Sequence, residues 1–345
     1  MLRSLEGAVR HALPVIAAHY AIEGPATVLS VGEVDRPDPG AGQVRVQVVV
    51  SAINPTDVKG RAGLTPRPID GFQVPHMDGA GIIDAVGPGV DPGRVGERVW
   101  VMFAALTKWG TAAQWCIVRS DQAIPLPDEA TFDLGATLGV PAMTAAVCLF
   151  GSGSLAGRDV LIAGTGAVGH AAIGLARWAG ARVVATVSGP EKAAIAERAG
   201  AHLVVNYREP GAAEAISAFT GGIDLVVEVA LGANLDLDLA VCRRGATVVA
   251  YAIDGPDPVI PVRRCMGAGL HLRFMLLYSE PSAELSAAVR TVNAAVGAGA
   301  ITLPPVRRFD LAEVVAAHLT QEGGPVGKIL VDIPPVDPAS PAIQP

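Results

Sequence analysis

The pattern of apolar and polar residues changes character partway along the chain. Before about residue 132, short Val-rich segments of alternating polarity are separated by glycine, proline and aspartate turns, which predicts β-strands. Examples are Gln43–Ser51, Gly79–Gly87 and Arg98–Phe103, with turns at Asp35–Gly42 and Gly96-Glu97. This part of the chain is therefore predicted to be a compact, β-rich domain.

From Phe132 onward, apolar stretches of strand length alternate with stretches of helical period. Leu134–Phe150 has a helical pattern but contains Pro141, so a broken helix is expected there. Helices such as Val168–Ala179 and Glu191–Ala199 separate most of the later strands. Such alternation is typical of βαβ units, so the fold class is α/β with a doubly wound parallel sheet. The predicted strands are Asp159–Ala163, Arg182–Val187, Leu203–Asn206, Ile223–Val227, Thr247–Tyr251 and His271–Leu276.

The end of the chain returns to shorter elements. Helical stretches at Ala283–Ala298 and near Leu311–Leu319 precede a last strand at Lys328–Ile333. The simplest organisation is a split catalytic domain, residues 1–136 and 279–345, with a nucleotide-binding domain, residues 137–278, inserted into it. Residues 1–14 are expected to be an irregular extension, and the Pro-rich tail from residue 334 is expected to be disordered.

Composition narrows the function classes. A net charge of −7 over 345 residues argues against nucleic-acid binding. No apolar run is long enough to span a bilayer, and charged residues interrupt any signal-peptide pattern near the start. The cysteines are far apart, which predicts reduced thiols in a cytoplasmic protein and neither a disulfide framework nor a zinc knuckle. They are Cys116, Cys148, Cys242 and Cys265.

The strongest local motif is a glycine pattern that follows an apolar strand and opens a helix. Gly164, Gly166 and Gly169 form G-x-G-x-x-G directly after Asp159–Ala163. The first glycine permits a tight turn, the second lets a pyrophosphate approach the backbone, and the third lets the helix pack closely. The free N–H groups at the helix start would then face the phosphates. The motif predicts a dinucleotide site.

The residues after the second strand bear on the choice between NAD and NADP. An NAD site usually has Asp or Glu at this strand tip, but the strand here ends in Thr186–Ser188. The Ser188 hydroxyl and the Lys192 charge suit a 2′-phosphate, and Tyr207, after the third strand, adds a hydroxyl. Glu191 is the feature that keeps NAD open. NADPH is the predicted cofactor.

Further motifs occur in the order found in one known family. They are Asn54-Pro-Thr-Asp57, Met77–Gly81, Gly110–Gln114, Ile124–Asp128, Gly135–Pro141 and Thr144-Ala145, with Gly166–Gly169, Ser188, Lys192, Asn206-Tyr207 and Gly327-Lys328. Through them, residues 16–333 resemble the zinc-independent quinone oxidoreductase (ζ-crystallin-like) branch of the medium-chain dehydrogenase/reductase superfamily. The resemblance implies a Rossmann doubly wound parallel sheet inserted into a GroES-like, β-rich catalytic domain, with a cleft between them.

The resemblance also implies cofactor contacts. Asn54 and Thr144 would lie near the nicotinamide ribose, and Ala167 and Val168 would meet the pyrophosphate. Segments 229–231, 251–253 and 274–276 would flank the nicotinamide. The cofactor-binding positions drawn from these segments and from the last strand are Ala230, Tyr251, Ala252, Phe274, Leu276 and Lys328.

No metal site is expected. The zinc-dependent relatives have a cysteine near the first motif and a His-Glu pair before Gly-Ala-Gly, where this chain has Asn54 and Met77-Asp78. His76 is adjacent but out of register, and a catalytic zinc needs about three protein ligands. His76 is therefore interpreted as a loop or pocket histidine.

Without zinc, the negative charge that hydride transfer builds on an acceptor oxygen needs hydrogen-bond donors, a cation or the acceptor's own conjugation. Quinones and enones delocalise that charge and simple ketones do not, so conjugated acceptors are predicted. The family's active-site tyrosine is replaced by Lys59, which could stabilise an enolate or relay a proton. Asn54 and Lys59 are the catalytic candidates. Phe103 and Trp109 either wall the substrate pocket or pack in the core.

Several alternatives stay open. An enoyl-thioester or alkenal reductase would share the cofactor. A coenzyme A substrate would need extra phosphate-binding cations, and Arg61, Arg67 and Lys108 are available but form no clear cluster. A non-catalytic, crystallin-like NADPH-binding protein would keep the glycine turn without turnover. A zinc alcohol dehydrogenase would lose activity with chelators. A homodimer is expected because His271–Leu277 reads as an exposed edge strand that a two-fold partner can pair with.

Overall fold

Three β-sheets and ten α-helices organise the chain in a computed structural model that describes residues 14–253 and 255–336. The predicted irregular start and most of the Pro-rich tail lie outside the described residues. The strands are β1 Pro14–His19, β2 Ser30–Asp35, β3 Gln43–Ile53, β4 Asp78–Val86, β5 Arg98–Val101, β6 Trp115–Arg119, β7 Ala123–Pro125, β8 Asp159–Ala163, β9 Arg182–Val187, β10 Leu203–Asn206, β11 Ile223–Glu228, β12 Cys242–Ala250, β13 His271–Phe274, β14 Val306–Asp310 and β15 Lys328–Asp332. The helices are α1 Pro55–Arg61, α2 Phe132–Gly135, α3 Met143–Phe150, α4 Ala167–Trp178, α5 Pro190–Ala199, α6 Ala212–Thr220, α7 Leu231–Val241, α8 Val262–Ala268, α9 Ser282–Gly297 and α10 Val314–Glu322.

The β-rich part is built on a seven-stranded sheet. Its order is β14-β15-β3-β4-β5-β7, with β6 also paired to β3, and β1 and β2 form a separate antiparallel pair. The last strand, β15, runs antiparallel to β3 with Ile329 opposite Ile53. The end of the chain therefore belongs to the same sheet as its beginning.

The inserted part is a six-stranded sheet in which every pairing is parallel. Its order, β10-β9-β8-β11-β12-β13, is that of a dinucleotide-binding sheet, with the strand order reversing between β8 and β11. Ligands of such sheets bind at the carboxyl ends of the strands beside that reversal. The predicted fold class is confirmed, and β13 lies at the sheet edge as expected.

The predicted break at Pro141 is confirmed. The segment divides into α2, a π-helical turn at Leu138–Ala142 that contains Pro141, and α3. A proline lacks the N–H of a regular helix, so a wider turn accommodates it. Helix α3 is almost wholly buried and packs against α4 and α9. Asn293 of α9 also accepts from the Trp100 indole of β5 (2.9 Å) and donates to the Pro125 carbonyl of β7 (3.0 Å), so α9 also contacts the β-rich sheet.

Two predicted strands were too long at their carboxyl ends. The β12–β13 pairing stops at Ala250 opposite Phe274, so Tyr251 and Leu276 lie outside the strands. Tyr251 and Leu276, just beyond the paired residues, line a cavity at this end of the sheet. No helix among the described residues has the length and apolar character needed to cross a membrane.

Candidate functional site

The glycine loop joins β8 to α4 at the centre of the parallel sheet. Gly164 has φ of +79°, a left-handed conformation that suits glycine. A Cβ on Gly169 would lie 2.0 Å from the Gly164 carbonyl oxygen, whereas a Cβ on Gly166 would meet open space. The first N–H groups of α4, at Ala167 and Val168, have no partner within the helix. The loop therefore fits a pyrophosphate group.

The residues predicted to bind the 2′-phosphate follow β9 and β10, with Lys192 in the first turn of α5. Ser188 is half-buried, and Lys192 and Tyr207 are exposed. The Thr165 hydroxyl donates to the Lys192 carbonyl (3.2 Å), which ties the glycine loop to α5. The Arg208 guanidinium lies 5.8 Å from the centre of the Tyr207 ring and supplies a second cation that the sequence analysis missed.

A cavity of about 340 Å³ lies at the carboxyl ends of β11, β12 and β13. Tyr251, Ala252, Phe274 and Leu276 line it, so the structure brings together residues predicted to flank the nicotinamide. Leu231, at the start of α7, lines the same cavity, and Ala230 immediately precedes that helix. The walls are mostly apolar, as expected for a flat ring to pack against.

Asn54 is held from both ends of its amide. Its Nδ2 donates to Asp78 Oδ2 (2.8 Å), and its Oδ1 accepts from Lys328 Nζ (2.5 Å). The β15–β3 register explains this contact, since Ile329 opposite Ile53 puts Lys328 opposite Asn54. All three side chains are buried. The contact between Lys328 and Asn54 is therefore shielded from solvent.

Asp78 links this cluster to the π-helical turn. Both of its carboxylate oxygens accept from the Val140 N–H at 2.9 Å. Thr144 is buried in the first turn of α3, just beyond that turn. Asp78 therefore links Asn54 to the turn that precedes Thr144, and both residues are predicted to lie near the nicotinamide ribose.

A second buried carboxylate, Asp57, lies beside the cluster. It accepts from the backbone N–H groups of Asn54 (2.7 Å) and Met77 (2.9 Å). Burial, reinforced by Asp78, raises the pKa of Asp57 to about 7. Burial raises the pKa of Asp78 to about 6, against the opposing pull of Lys328, and burial lowers the pKa of Lys328. The cluster holds protons up to near-neutral pH.

His76 belongs to a buried hydrogen-bond chain. Its Nδ1 pairs with Ser51 Oγ (2.8 Å) and its Nε2 with His318 Nε2 (2.9 Å). Burial lowers the pKa of both imidazoles, that of His318 to about 3. Across residues 14–253 and 255–336, no three histidine, cysteine or acidic side chains are grouped so as to hold a metal ion.

A narrow cavity of about 20 Å³ adjoins α1 and is lined by Thr56, Asp57, Arg67 and His76, among others. That is about the room of one water molecule. Lys59 is exposed and is not among the lining residues. Its predicted proximity to the acceptor therefore rests on its place in α1.

The two aromatic candidates pack against other rings. Phe103 is buried and meets Tyr278 edge-on, with ring centres 5.3 Å apart. Trp109 meets Phe72 edge-on at 5.4 Å, away from the cavity beside α1. Phe103 thus touches a residue near the Asn54 cluster, and Trp109 does not.

One of the three cations considered for a coenzyme A phosphate is unavailable. Arg61 is buried and is paired with Glu322, and it also donates to the Gly24 carbonyl (3.1 Å). Arg67 donates to a backbone carbonyl, as does Lys108. Arg61 is therefore not available to a phosphate, because its side chain is buried and paired with Glu322.

Comparison with known proteins adds an independent line. An alcohol dehydrogenase GroES-like domain family matches residues 40–128, and a zinc-binding dehydrogenase family matches residues 167–294. Quinone oxidoreductase of Sus scrofa is 31% identical over 319 residues, covering 90% of this chain and 95% of that protein. A 2-haloacrylate reductase of a Burkholderia species is 30% identical over 305 residues, with coverage of 83% and 89%. A mycobacterial protein solved in complex with NADPH superposes with a TM-score of 0.80 at 27% identity, covering 92% of this chain and 99% of that one.

Proposed function

Because the chain belongs to the medium-chain dehydrogenase/reductase superfamily, in its quinone oxidoreductase-like branch, we propose that it transfers hydride from NADPH to quinones or conjugated enones without a catalytic metal. The membership establishes an oxidoreductase. The acceptor, the preference for NADPH and the independence from metal are the proposed part.

The observation that carries the proposal is the hydrogen bonding of the Asn54 and Asp78 side chains. By their position in the sequence motifs, Asn54 and Asp78 lie where the zinc-dependent relatives have metal-binding motifs. Here they are bonded to each other, to Lys328 and to the Val140 backbone. A buried amide and carboxylate that are already satisfied by protein partners lose hydrogen bonds if they turn to a metal ion. This supports a mechanism that relies on the conjugation of the acceptor.

The cofactor would be held by the chain's own groups. Gly164, Gly166 and the start of α4 would hold the pyrophosphate, and the cavity at residues 251–252 and 274–276 would take the nicotinamide, which supplies hydride when bound. Lys192, with Ser188 and Tyr207, would select a 2′-phosphate, and Arg208 adds charge there. Charge-assisted hydrogen bonds to a phosphate favour NADPH over NADH.

The remaining roles follow from position. Asn54, fixed at both ends, would orient the nicotinamide ribose and acceptor. Lys59 would relay a proton between solvent and the cleft, for which its exposure on α1 suits it. The protein would act in the cytoplasm. It would form a homodimer, because β13 is a sheet edge that exposes Phe274 and Leu276 beside its unpaired backbone groups.

A second candidate acceptor class is an alkene that is activated by a group other than a ketone. The Burkholderia relative is named for reduction of a 2-haloacrylate, whose double bond is conjugated with a carboxylate. A coenzyme A thioester is disfavoured because Arg61 is buried against Glu322. The acceptor panel should therefore include an acrylate, an enal and an enoyl thioester.

The experiment is NADPH oxidation by the purified protein against p-benzoquinone, an enone and those alkenes, with a simple ketone as negative control. NADH and EDTA are the cofactor and metal controls. We expect turnover with NADPH and conjugated acceptors, unaffected by EDTA. Binding of NADPH without turnover of any acceptor would instead favour the non-catalytic reading, and equal use of NADH would remove the 2′-phosphate assignment.

A further inference from the structure

Another cavity, of about 400 Å³, lies between α9 and the segments that follow β5 and β6, and we call it the α9 cavity. Among the described residues, none that lines it also lines the nicotinamide cavity or the narrow cavity beside α1. Small-molecule sites enclose about 300–1,000 Å³ and often lie between domains. The α9 cavity therefore has the size and the place of a ligand site, and the proposed reaction does not use it.

The walls of the α9 cavity are mainly apolar. They are formed by Met102, Phe103, Leu106, Tyr278, Leu285 and Val289. The Phe103 and Tyr278 rings meet edge-on, and Leu106 leaves 42% of its surface exposed. A flat apolar body placed here would remove the exposed part of Leu106 from water, which is favourable.

The backbone of Phe103 is in an unusual conformation. Its φ is +64°, and it is one of two non-glycine residues with a left-handed backbone in the described part of the chain. Such a conformation is costly for an aromatic residue and persists only where the surrounding packing enforces it. Residues held in this way cluster at ligand-binding positions. The conformation of Phe103 therefore agrees with a binding role for the cavity that it lines.

Helix α9 contributes two rows of side chains to the cavity. Leu285 and Val289 form an apolar row, and a polar row consists of Ser282, Ser286 and Arg290. Within each row the residues are four positions apart, so they lie on one face of the helix. The serine hydroxyls therefore lie along the same side of α9 as the Arg290 guanidinium.

Arg290 is the uncompensated charge of the cavity. It is exposed, and no carboxylate of residues 14–253 and 255–336 forms an ion pair with it. The other lining cation, Arg119, donates two hydrogen bonds to the carboxylate of Asp121 (2.9 and 2.6 Å). The ionised groups that line the cavity thus carry one net positive charge, although the chain as a whole carries −7. A guanidinium matches a carboxylate with two parallel hydrogen bonds.

We propose that the α9 cavity binds a small aromatic carboxylate. The carboxylate pairs with Arg290, and Ser286, one helical turn earlier, supplies a hydroxyl donor. The ring lies against Phe103, Leu106 and Leu285. The ligand contacts α9 on one side and the segments after β5 and β6 on the other, and so strengthens the attachment of α9 to the β-rich sheet. This inference goes beyond the proposed function and does not depend on it.

The test is isothermal titration calorimetry of the purified full-length chain, without cofactor, with 2-naphthoate and with its neutral analogue 2-naphthamide. We expect one site per chain and an affinity for 2-naphthoate about tenfold higher, as for a charge-assisted contact at a partly exposed position. Added salt should weaken the binding of 2-naphthoate and leave that of 2-naphthamide nearly unchanged. Saturating 2-naphthoate should also raise the melting temperature, because it binds the folded chain.

Three variants locate the ligand. Arg290→Gln should weaken 2-naphthoate about tenfold and 2-naphthamide less than twofold, whereas Arg290→Lys, which keeps the charge, should stay within about threefold of wild type. Ser286→Phe places a ring in the cavity from an exposed position and should abolish the binding of both compounds. Arg263→Gln is the matched control, because Arg263 is an exposed helical arginine of α8 without an ion pair among the described residues. Melting curves without ligand should be the same for all four proteins.

Several results would overturn the proposal. Equal affinity for the two compounds, or a Kd for 2-naphthoate that Arg290→Gln leaves within twofold, removes the carboxylate assignment. Undiminished binding to Ser286→Phe places the ligand elsewhere, and absence of binding up to millimolar 2-naphthoate removes the site. The titrations need neither cofactor nor acceptor, so a protein that is inactive with every acceptor bears on the proposed function alone.

Discussion

Replacing Lys328 with methionine is the sharpest test of the buried cluster. The ammonium group is fully enclosed and is bonded to Asn54, and it is the cation that offsets Asp57 and Asp78. Methionine has a similar length and no charge. The variant therefore leaves two buried carboxyl groups without a cation, and the Asn54 Oδ1 without a donor.

The expected cost follows from the burial. Removing one partner of a buried ionic contact destabilises a protein by about 3–5 kcal/mol, because the remaining charge stays desolvated. For a chain of this size, about 2 °C of melting temperature is lost per kcal/mol, which predicts a fall of about 6–10 °C. An exposed lysine offers no comparable contribution.

The loss of stability caused by Lys328→Met should depend on pH, and the two carboxyl groups determine the direction of that dependence. The folded-state pKa of Asp78 is raised to about 6 and that of Asp57 to about 7, so their stability contributions are present in acid and are lost as pH rises through those values. Lys328 limits that loss at high pH by pairing with the charged acids. Its removal should therefore cost more at pH 8 than at pH 5, where the acids are neutral.

The assay is thermal unfolding of wild type and Lys328→Met at both pH values, with Lys59→Met as the exposed lysine control. The double variant Lys328→Met/Asp78→Asn should recover part of the loss at pH 8, since it removes one orphaned charge. A Lys328→Met variant that melts within 2 °C of wild type at pH 8, or that loses the same amount at both pH values, would refute the reasoning.

Four further variants have expected outcomes. Gly169→Ala should lower both the melting temperature and NADPH affinity, because its Cβ would lie 2.0 Å from the Gly164 carbonyl oxygen. Gly166→Ala should weaken NADPH binding alone, because its Cβ meets only the space left for a ligand; fluorescence titration and melting curves distinguish the two. Lys192→Met should raise the KM for NADPH about tenfold in steady-state kinetics and leave that for NADH unchanged, as a lost phosphate contact requires. Lys59→Met should slow enone turnover several-fold without altering the melting temperature, and full turnover would remove its proton-relay role.

Local features of the sequence were enough to predict much of the fold. The glycine motif, the alternation of strands and helices and the break at Pro141 all depend on residues within a few positions of one another. Backbone freedom, helix period and the lack of a proline N–H act over that range, so the β8–loop–α4 unit and the six parallel strands could be predicted. The ends of β12 and β13 could not, because strand length there depends on where two distant segments stop pairing.

The chemistry of the site depends on long-range register. Lys328 and Asn54 are 274 positions apart in the sequence and meet because β15 pairs with β3. No spacing pattern in the sequence predicts that contact. The same holds for His318 against His76 and for Tyr278 beside Thr56. The sequence shows Asp57 and Asp78 only as members of two motifs. Their pKa values are raised by burial, and burial is a property of the folded molecule.

The sequence by itself thus determined which segments become strands, helices and the phosphate-binding turn, because those depend on local backbone geometry and periodic burial. Tertiary structure alone decided which polar groups share a desolvated space, because hydrogen bonds and charge interactions act through distance in the folded chain, whatever the separation along it.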